Sequence, residues 1–367
     1  MYASLKDVAA RAGVSFQTTS KVLNGDHSVV ATGTLERILA AADEVGYVPN
    51  ALARGLVRQT SSTIGVLVDD VADPALSQLV RAAERAAAAQ RHAAFIGAAG
   101  HGGDPTPAIR TMQEHRVGGI LVVAPSLESD PRLGVALRGR LPAVSVNHVH
   151  GGGLPVVTSD HSTTGELAAQ HLVGLGHREI ATVTGPRARR VVRSRHQAFR
   201  NCLREAGAPL PARCVAEADW TPAGAYAAAE RLLNAGPSVG AIFVHSDVMT
   251  LGVLRALRDR GIRVPDDCSV VSCDDVYLAP FASPPLTTIH VPFEQTGERA
   301  VGLLLQRMRG ETIPEHEFLP THLVVRSSTA PPAREPPRSN AGHSGRSRAA
   351  ASTHRQTSSF TSKERQS

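Results

Sequence analysis

Between Ser62 and about Thr329 the chain keeps repeating one unit: a short apolar run rich in Val, Ile and Ala, then a helical pattern, then another run. The runs "TIGVLVDD", "HAAFIGAA", "GGILVVAP" and "PAVSVNH" are separated by helical periodicity near 74–90, 104–115 and 130–139. A second series, "VVTSD", "EIATVTG", "AIFVHSD", "SVVSCDD" and "LTTIH", alternates with helices near 161–175, 192–206, 222–235 and 247–260. Continuous apolar runs belong to strands buried on both faces, and strands joined through helices run parallel. The expectation is an α/β core of doubly wound parallel sheets in two similar lobes. A ligand of such a core sits between the lobes, at the carboxyl ends of the strands.

The first 48 residues follow another rule. "SLKDVAARA" places Leu5, Val8 and Ala9 at i, i+3 and i+4 behind Ser4 as cap, "SFQTTSKVLN" follows the turn Ala12-Gly13-Val14, and "TLERILAAADEVGY" puts Leu35, Ile38, Leu39, Ala42 and Val45 on one face. Two helices joined by a short glycine-bearing turn and braced by a third predict an all-α helix-turn-helix unit, whose second helix enters the major groove. That second helix is bordered by Ser15 as N-cap and Asn24-Gly25 as stop, yet Thr18, Thr19 and Ser20 fill it. Thr and Ser each cost up to roughly 0.7 kcal/mol relative to Ala in a helix interior, so another demand selects them. Gln pairs bidentately with adenine, and Thr and Ser serve phosphates or mixed edges. Gln17, Thr18 and Lys21 are therefore assigned to base or nearby backbone contacts, with Val14, Val22 and Leu23 facing a small core. Beyond it, in "GYVPNALARGLVRQTSS", Pro49 breaks the chain and "NALARGL" forms one or two turns that Gly55 keeps marginal. Such a segment folds when two copies meet over DNA, with Leu56 as an apolar wedge at the minor groove.

The net charge of +6 among 367 residues does not by itself argue for nucleic acid, because residues 331–367 hold seven Lys/Arg against two Glu and so carry +5 of it. That stretch of Ser, Pro, Arg and Ala, with Phe360 its one large apolar residue, reads as a disordered basic tail. Lysine is more telling: before the tail it occurs only at Lys6 and Lys21. The four cysteines, Cys202, Cys214, Cys268 and Cys273, form no CxxC pair, which argues against a metal site or a disulfide scaffold. No apolar run approaches the roughly 18 to 20 residues that span a bilayer, and "MYASLKDVAARAG" has charges where a signal peptide is apolar, so a cytoplasmic protein is expected.

Six segments taken in order, "LKDVAARAGVSFQTTSKVLN", "GYVPNALARGL", "IGVLV", "HLVGLGHREIATVTG", "SDVMTLGVLRAL" and "PPLTTIHVPFEQTGERAVGLLL", resemble the LacI/GalR family of bacterial transcription regulators over roughly residues 4 to 329. The resemblance implies a headpiece at 1–48, a hinge helix and linker at 49–61, and a two-lobed effector-binding and dimerisation core of periplasmic-binding-protein type at 62–330. Lobe 1 would comprise about 62–160 and 291–320, and lobe 2 about 161–290 and 321–330, with crossings near Asp160, His290 and Pro320. It further implies a homodimeric repressor on a near-palindromic DNA operator, controlled by a small polar effector, a sugar or sugar derivative. Matched positions place Ser15, Phe16, Gln17, Thr18, Ser20, Lys21 and Asn24 in the recognition element and Asn50, Ala53 and Leu56 in the hinge helix, with Ser4, Lys6 and Thr34 completing the DNA-binding set. The matched effector positions are Asp73 through Leu76, Asn147, Arg195, Trp220, Asp247, Asp274 and Phe293. Arg195, Asn147 and Asp274 can bracket hydroxyls, and Trp220 and Phe293 offer flat faces. Two departures stand out. Ala31 occupies the family's capping serine before the third helix, which leaves Thr32 or Thr34 to cap, and "VVSCDD" puts Cys273 before Asp274.

An enzyme would need a constellation that is missing from the text of the chain. "GAAGHGGD" lacks phosphate-cradling spacing, no HExxH occurs, and the sixteen histidines, His148 and His150 among them, are scattered. Neither a cofactor nor a metal is expected. An exported sugar-binding protein would share the core but would begin with a signal peptide instead of a headpiece.

Overall fold

The computed structural model describes residues 3–48, 61–99, 103–137, 141–146, 153–235 and 239–332. The expected hinge positions Asn50, Ala53 and Leu56, the pocket position Asn147 and tail residues 333–367 lie outside these. Three helices come first: α1 (Leu5–Ala12), α2 (Phe16–Leu23) and α3 (Thr32–Glu44). Gly13 ends α1 in the left-handed region, φ 65°, so the chain can reverse into α2 at no Cβ cost. Val8, Ala12, Val22, Ile38, Ala41 and Ala42 close a small core, with Val14 and Leu23 against its edge. Leu39 departs from expectation: it is 46% exposed, and Ala41 takes its place inward. A helix this short needs a narrow stripe, and Ile38, Ala41 and Ala42 already fill it.

Two six-stranded sheets follow. The first has the order β11-β5-β4-β3-β1-β2, from β1 (Thr63–Val68), β2 (Ala93–Ala98), β3 (Ile120–Val123), β4 (Ala143–Val146), β5 (Val156–Ser159) and β11 (His316–Leu319), all parallel. The second has the order β12-β10-β9-β8-β6-β7, from β6 (Ile180–Thr184), β7 (Val215–Glu217), β8 (Ala241–Val244), β9 (Ser269–Asp274), β10 (Thr287–His290) and β12 (His322–Val324), parallel except for the β10–β12 pair. Helices α4 (Pro74–Ala89), α5 (Thr106–Glu114), α6 (Pro131–Leu137) and α11 (Phe293–Met308) accompany the first sheet. Helices α7 (His161–Gly174), α8 (Arg190–Glu205), α9 (Pro222–Asn234) and α10 (Asp247–Asp259) accompany the second. The doubly wound parallel architecture is thus the one the apolar runs require. β1, β3, β4, β6, β8 and β9 are buried along nearly their whole length, and each fully buried Val, Leu or Ile contributes roughly 1.5–3 kcal/mol. β2 instead alternates exposed and half-buried residues because it lies at a sheet edge. The chain changes sheet three times: after Ser159, between His290 and α11, and between Leu319 and His322.

Helix pairs set the distances within each lobe. α7 and α8 approach so closely that a Cβ at Gly165 would stand 2.2 Å from the Arg195 carbonyl oxygen. Gly165→Val is expected to lower stability by about 1–3 kcal/mol or more by overpacking. Gly174→Ala, at a position with open space around its Cβ, should be neutral or stabilising by up to about 1 kcal/mol. Urea midpoints of the two variants check this, and equal midpoints would count against the close α7–α8 contact.

Candidate functional site

Capping orients the headpiece helices. Ser4 and Asp7 form a reciprocal capping box on α1, the Ser4 N–H donating to Asp7 Oδ2 at 2.7 Å and the Asp7 N–H to Ser4 Oγ at 3.4 Å. Ser15 caps α2, accepting from the Thr18 N–H at 3.1 Å, and its hydroxyl meets Thr18 Oγ1 at 2.8 Å. Thr19 is fully buried with its hydroxyl donating to the Ser15 carbonyl at 3.1 Å, so this Thr serves the headpiece core. Phe16, Gln17 and Lys21 are exposed and Thr18 and Ser20 half-exposed; the Asn24 amide donates to Ser20 Oγ at 3.3 Å. The side chains left open on α2 are therefore an amide, a cation, hydroxyls and one ring, the groups that read base edges and phosphates. At α3 the expectation of a threonine cap fails. Ala31 is the N-cap without any side-chain bond, and Thr32 and Thr34 lie inside the helix. Thr34 is half-exposed, and Lys6 on α1 is exposed.

In the core, the polar residues gather where the strands end. Arg195, only 3% exposed, points its guanidinium into lobe 2: Nη1 donates to the His245 carbonyl at 2.8 Å, and Nη2 lies 3.4 Å from His161 Nδ1 and 3.6 Å from Asp274 Oδ1. A guanidinium can only donate, so His161 Nδ1 accepts and its proton sits on Nε2, 3.4 Å from Thr158 Oγ1. Asp274 follows the buried body of β9 with φ 111°, a strained backbone for a residue with a Cβ. Its carboxyl is pushed up to about 8, first by loss of hydration, against the pull of Arg195, and further by the charges of Asp247 and Asp73. Cys273 is fully buried beside it, its thiol 3.5 Å from Asp274 Oδ1. Burial and the neighbouring Arg195 hold His245 neutral, well below the ordinary imidazole range.

The other expected positions divide by what already holds them. Asp73 caps α4, accepting from the Ala75 and Leu76 N–H groups at 2.8 and 3.1 Å, and it comes from lobe 1 while acting electrostatically on Asp274 of lobe 2. Trp220 packs its ring on Gly185, where a Cβ would come 2.4 Å from it. Asp247 is buried with both oxygens engaged, by the Val276 N–H and the Thr288 hydroxyl at 2.8 Å each, which pins the start of α10 to β10. Burial raises its carboxyl to about 6. Phe293 packs into the apolar core at the head of α11, and Leu76 is partly buried against that core. Arg195, Asp274, Asp73 and the Asp247 carboxyl thus form one electrostatic group. His161 and His245 join it, and neither is distinguishable in the sequence from the other scattered histidines.

Asp274 carries a pH signature. An unfolded Asp titrates near pH 4, whereas the folded group holds its proton up to about 8. The folded state therefore binds the extra proton across this window, and the stability it contributes is full below about pH 4 and lost as pH climbs through 8. Asp274→Asn cannot ionise and tolerates positive φ. Its stability relative to the unsubstituted protein should rise between pH 5 and pH 9 in urea melts; a constant difference would contradict the raised carboxyl.

Comparison with known proteins agrees with this geometry. The family of bacterial regulatory proteins, lacI family, matches residues 4–50, and a periplasmic binding protein-like domain matches residues 169–329. The ribose operon repressor of Escherichia coli K12 is 32% identical over 330 residues, covering 89% of this chain and 100% of its own. The crystal structure of the lac repressor dimer bound to operator and the anti-inducer ONPF superposes with a TM-score of 0.81 at 31% identity, covering 90% of this chain and 100% of that one. The CelR–cellobiose complex superposes with a TM-score of 0.66 at 32% identity, over 89% and 99% of the two chains. With a helix-turn-helix headpiece ahead of a two-lobed core, and full-length relatives of the same plan, the chain belongs to the lacI family and is a sequence-specific DNA-binding transcriptional regulator, not an enzyme.

Proposed function

We propose that the protein is a cytoplasmic repressor that binds a near-palindromic operator as a homodimer and is controlled by a sugar or sugar derivative held between the lobes. The observation that carries the effector class is the Arg195 cluster, a buried guanidinium beside a carboxyl on strained backbone and an imidazole, together with the indole of Trp220 packed on Gly185 after β6. Mixed donors and acceptors beside a flat apolar face suit a polyol, whose hydroxyls both give and take hydrogen bonds. Among relatives, one is named for the ribose operon and another is seen with cellobiose. Dimerisation is favoured by apolar side chains left in water on lobe 2, Phe281 at 85% exposure with Tyr277 and Leu251. In this reading residues 1–48 are the headpiece and 49–61 the hinge, and the lobes divide near Asp160, His290 and Pro320.

On DNA, Gln17→Ala should cost roughly 1–3 kcal/mol on the preferred site and relax sequence preference, whereas Lys21→Ala should weaken all sequences evenly. Anisotropy titrations on a selected duplex and its scrambled form, at one salt concentration, separate the two. Equal losses on both duplexes for Gln17→Ala would remove it from the base-reading set.

For the effector, thermal-shift screening of sugars, beginning with ribose and cellobiose, followed by operator titration with and without the hit, tests the reading directly. Arg195→Ala should abolish the response, a loss of affinity of at least about tenfold or roughly 1.4 kcal/mol, with ligand-free operator binding nearly unchanged. A full response in that variant would place the pocket elsewhere.

A further inference from the structure

The first N–H groups of an α-helix have no partner within it. At the start of α8 the N-cap Arg189 provides no side-chain cap, and the cap comes from the other lobe. The Arg190 N–H lies 3.1 and 3.0 Å from the two carboxylate oxygens of Glu128. Glu128 is 8% exposed, so its charge is largely out of water and rests at the positive end of a 16-residue helix. A second arm runs the opposite way: Arg189 Nη1 donates to the carbonyls of Pro125 and Ser126 at 3.1 and 3.0 Å.

Both arms are anchored in rigid elements. The turn at 125–128 follows β3, with Leu127 fully buried, and Ser126 is bolted to the end of β1: its N–H donates to Asp69 Oδ2 at 2.5 Å and its hydroxyl to Asp69 Oδ1. On the facing side, Arg189 and Arg190 open the same helix that carries Arg195. Each arm joins a side chain of one lobe to the backbone of the other, so parting the lobes breaks both at once.

We propose that residues 125–128 and 189–190 form a latch that holds the two lobes against each other. Charge takes part in both arms, which makes each hydrogen bond stronger than a neutral one. Opening releases Glu128 and Arg189 to water, so the latch is reversible. It sets the resting lobe arrangement, and an effector shifts that arrangement only by its differential affinity for the two states. The movement is transmitted along α8 to Arg195.

Hydrogen exchange of the full-length protein, resolved to the Arg190 amide, reads the latch without ligand or DNA, so its outcome is independent of the effector reading. That amide has no helical partner, and its protection comes from Glu128. Glu128→Ala should speed its exchange roughly tenfold or more, and Glu128→Gln, which keeps an acceptor oxygen and the side-chain volume, by less. Arg189→Ala is decisive: it does not touch the amide's partner, yet should speed the same amide by parting the lobes and raise the radius of gyration in small-angle scattering. Retained protection in β6 and β8 would show that each variant is folded. An Arg190 amide and a radius of gyration both unchanged in Arg189→Ala would mean two independent local contacts and would overturn the latch.

Discussion

Parallel strands deliver all their carboxyl ends to one edge of a sheet, and this constraint governs where the chemistry of the core can be. Asp69 and Asp73 follow β1, Gly185 follows β6, His245, Ser246 and Asp247 follow β8, and Asp274 closes β9. Within the second sheet Gly185, His245 and Asp274 lie side by side because β6 neighbours β8, which neighbours β9, and Asp73 of the first sheet reaches Asp274 electrostatically. The central strands contribute cohesion through buried Val, Ile and Ala, with buried Ser and Thr such as Ser145, Thr182, Ser272 and Thr288 among them. The carboxylates Asp69, Asp247 and Asp274 occur where a strand stops, and there they can face a ligand or the opposite lobe without costing the sheet its burial.

The site so assembled holds tension that ordinary core packing would remove. The carboxyl of Asp274 is buried beside a guanidinium on backbone that a residue with a Cβ rarely adopts, and Arg195 Nε and both ring nitrogens of His245 have no hydrogen-bond partner among the described residues. Leaving such groups unpaired costs about 1–3 kcal/mol each. A ligand that supplies the missing partners offsets part of this cost, which is a physical reason for a stable fold to retain it.

In the headpiece the hydroxyl-rich α2 is only partly explained by DNA. Thr18 and Ser20 stay open to the outside, but Thr19 turns inward and returns its hydroxyl to the Ser15 carbonyl, filling a place that a β-branched side chain suits without leaving a polar atom unpaired. Its neighbours share its composition and differ in orientation by one step of the helical wheel. Composition alone cannot make that distinction.

The doubly wound sheets and the three-helix headpiece could be read from the sequence because both are encoded locally, by runs of Val and Ile four to six residues long and by helical spacing between caps. Three strands escaped that reading. β7 and β12 have three residues each and β11 is half-exposed, so no apolar run announces them, and they exist because a neighbouring strand offers an edge. Arg195 and Asp274 stood out through family-like motifs, but His161 did not, since its role depends on lying 3.4 Å from a guanidinium 34 positions further along the chain. Glu128 and Arg190 are 62 residues apart and look like two ordinary surface charges in the sequence. What the sequence settles by itself is what repeats over a few residues: strand, helix, cap and turn. The cross-lobe cap, the buried approach of Arg195 to Asp274 and the exposure of Leu39 were decided by tertiary structure, because each depends on a distance between elements, and that distance exists only after the sheets have been wound and the lobes have met.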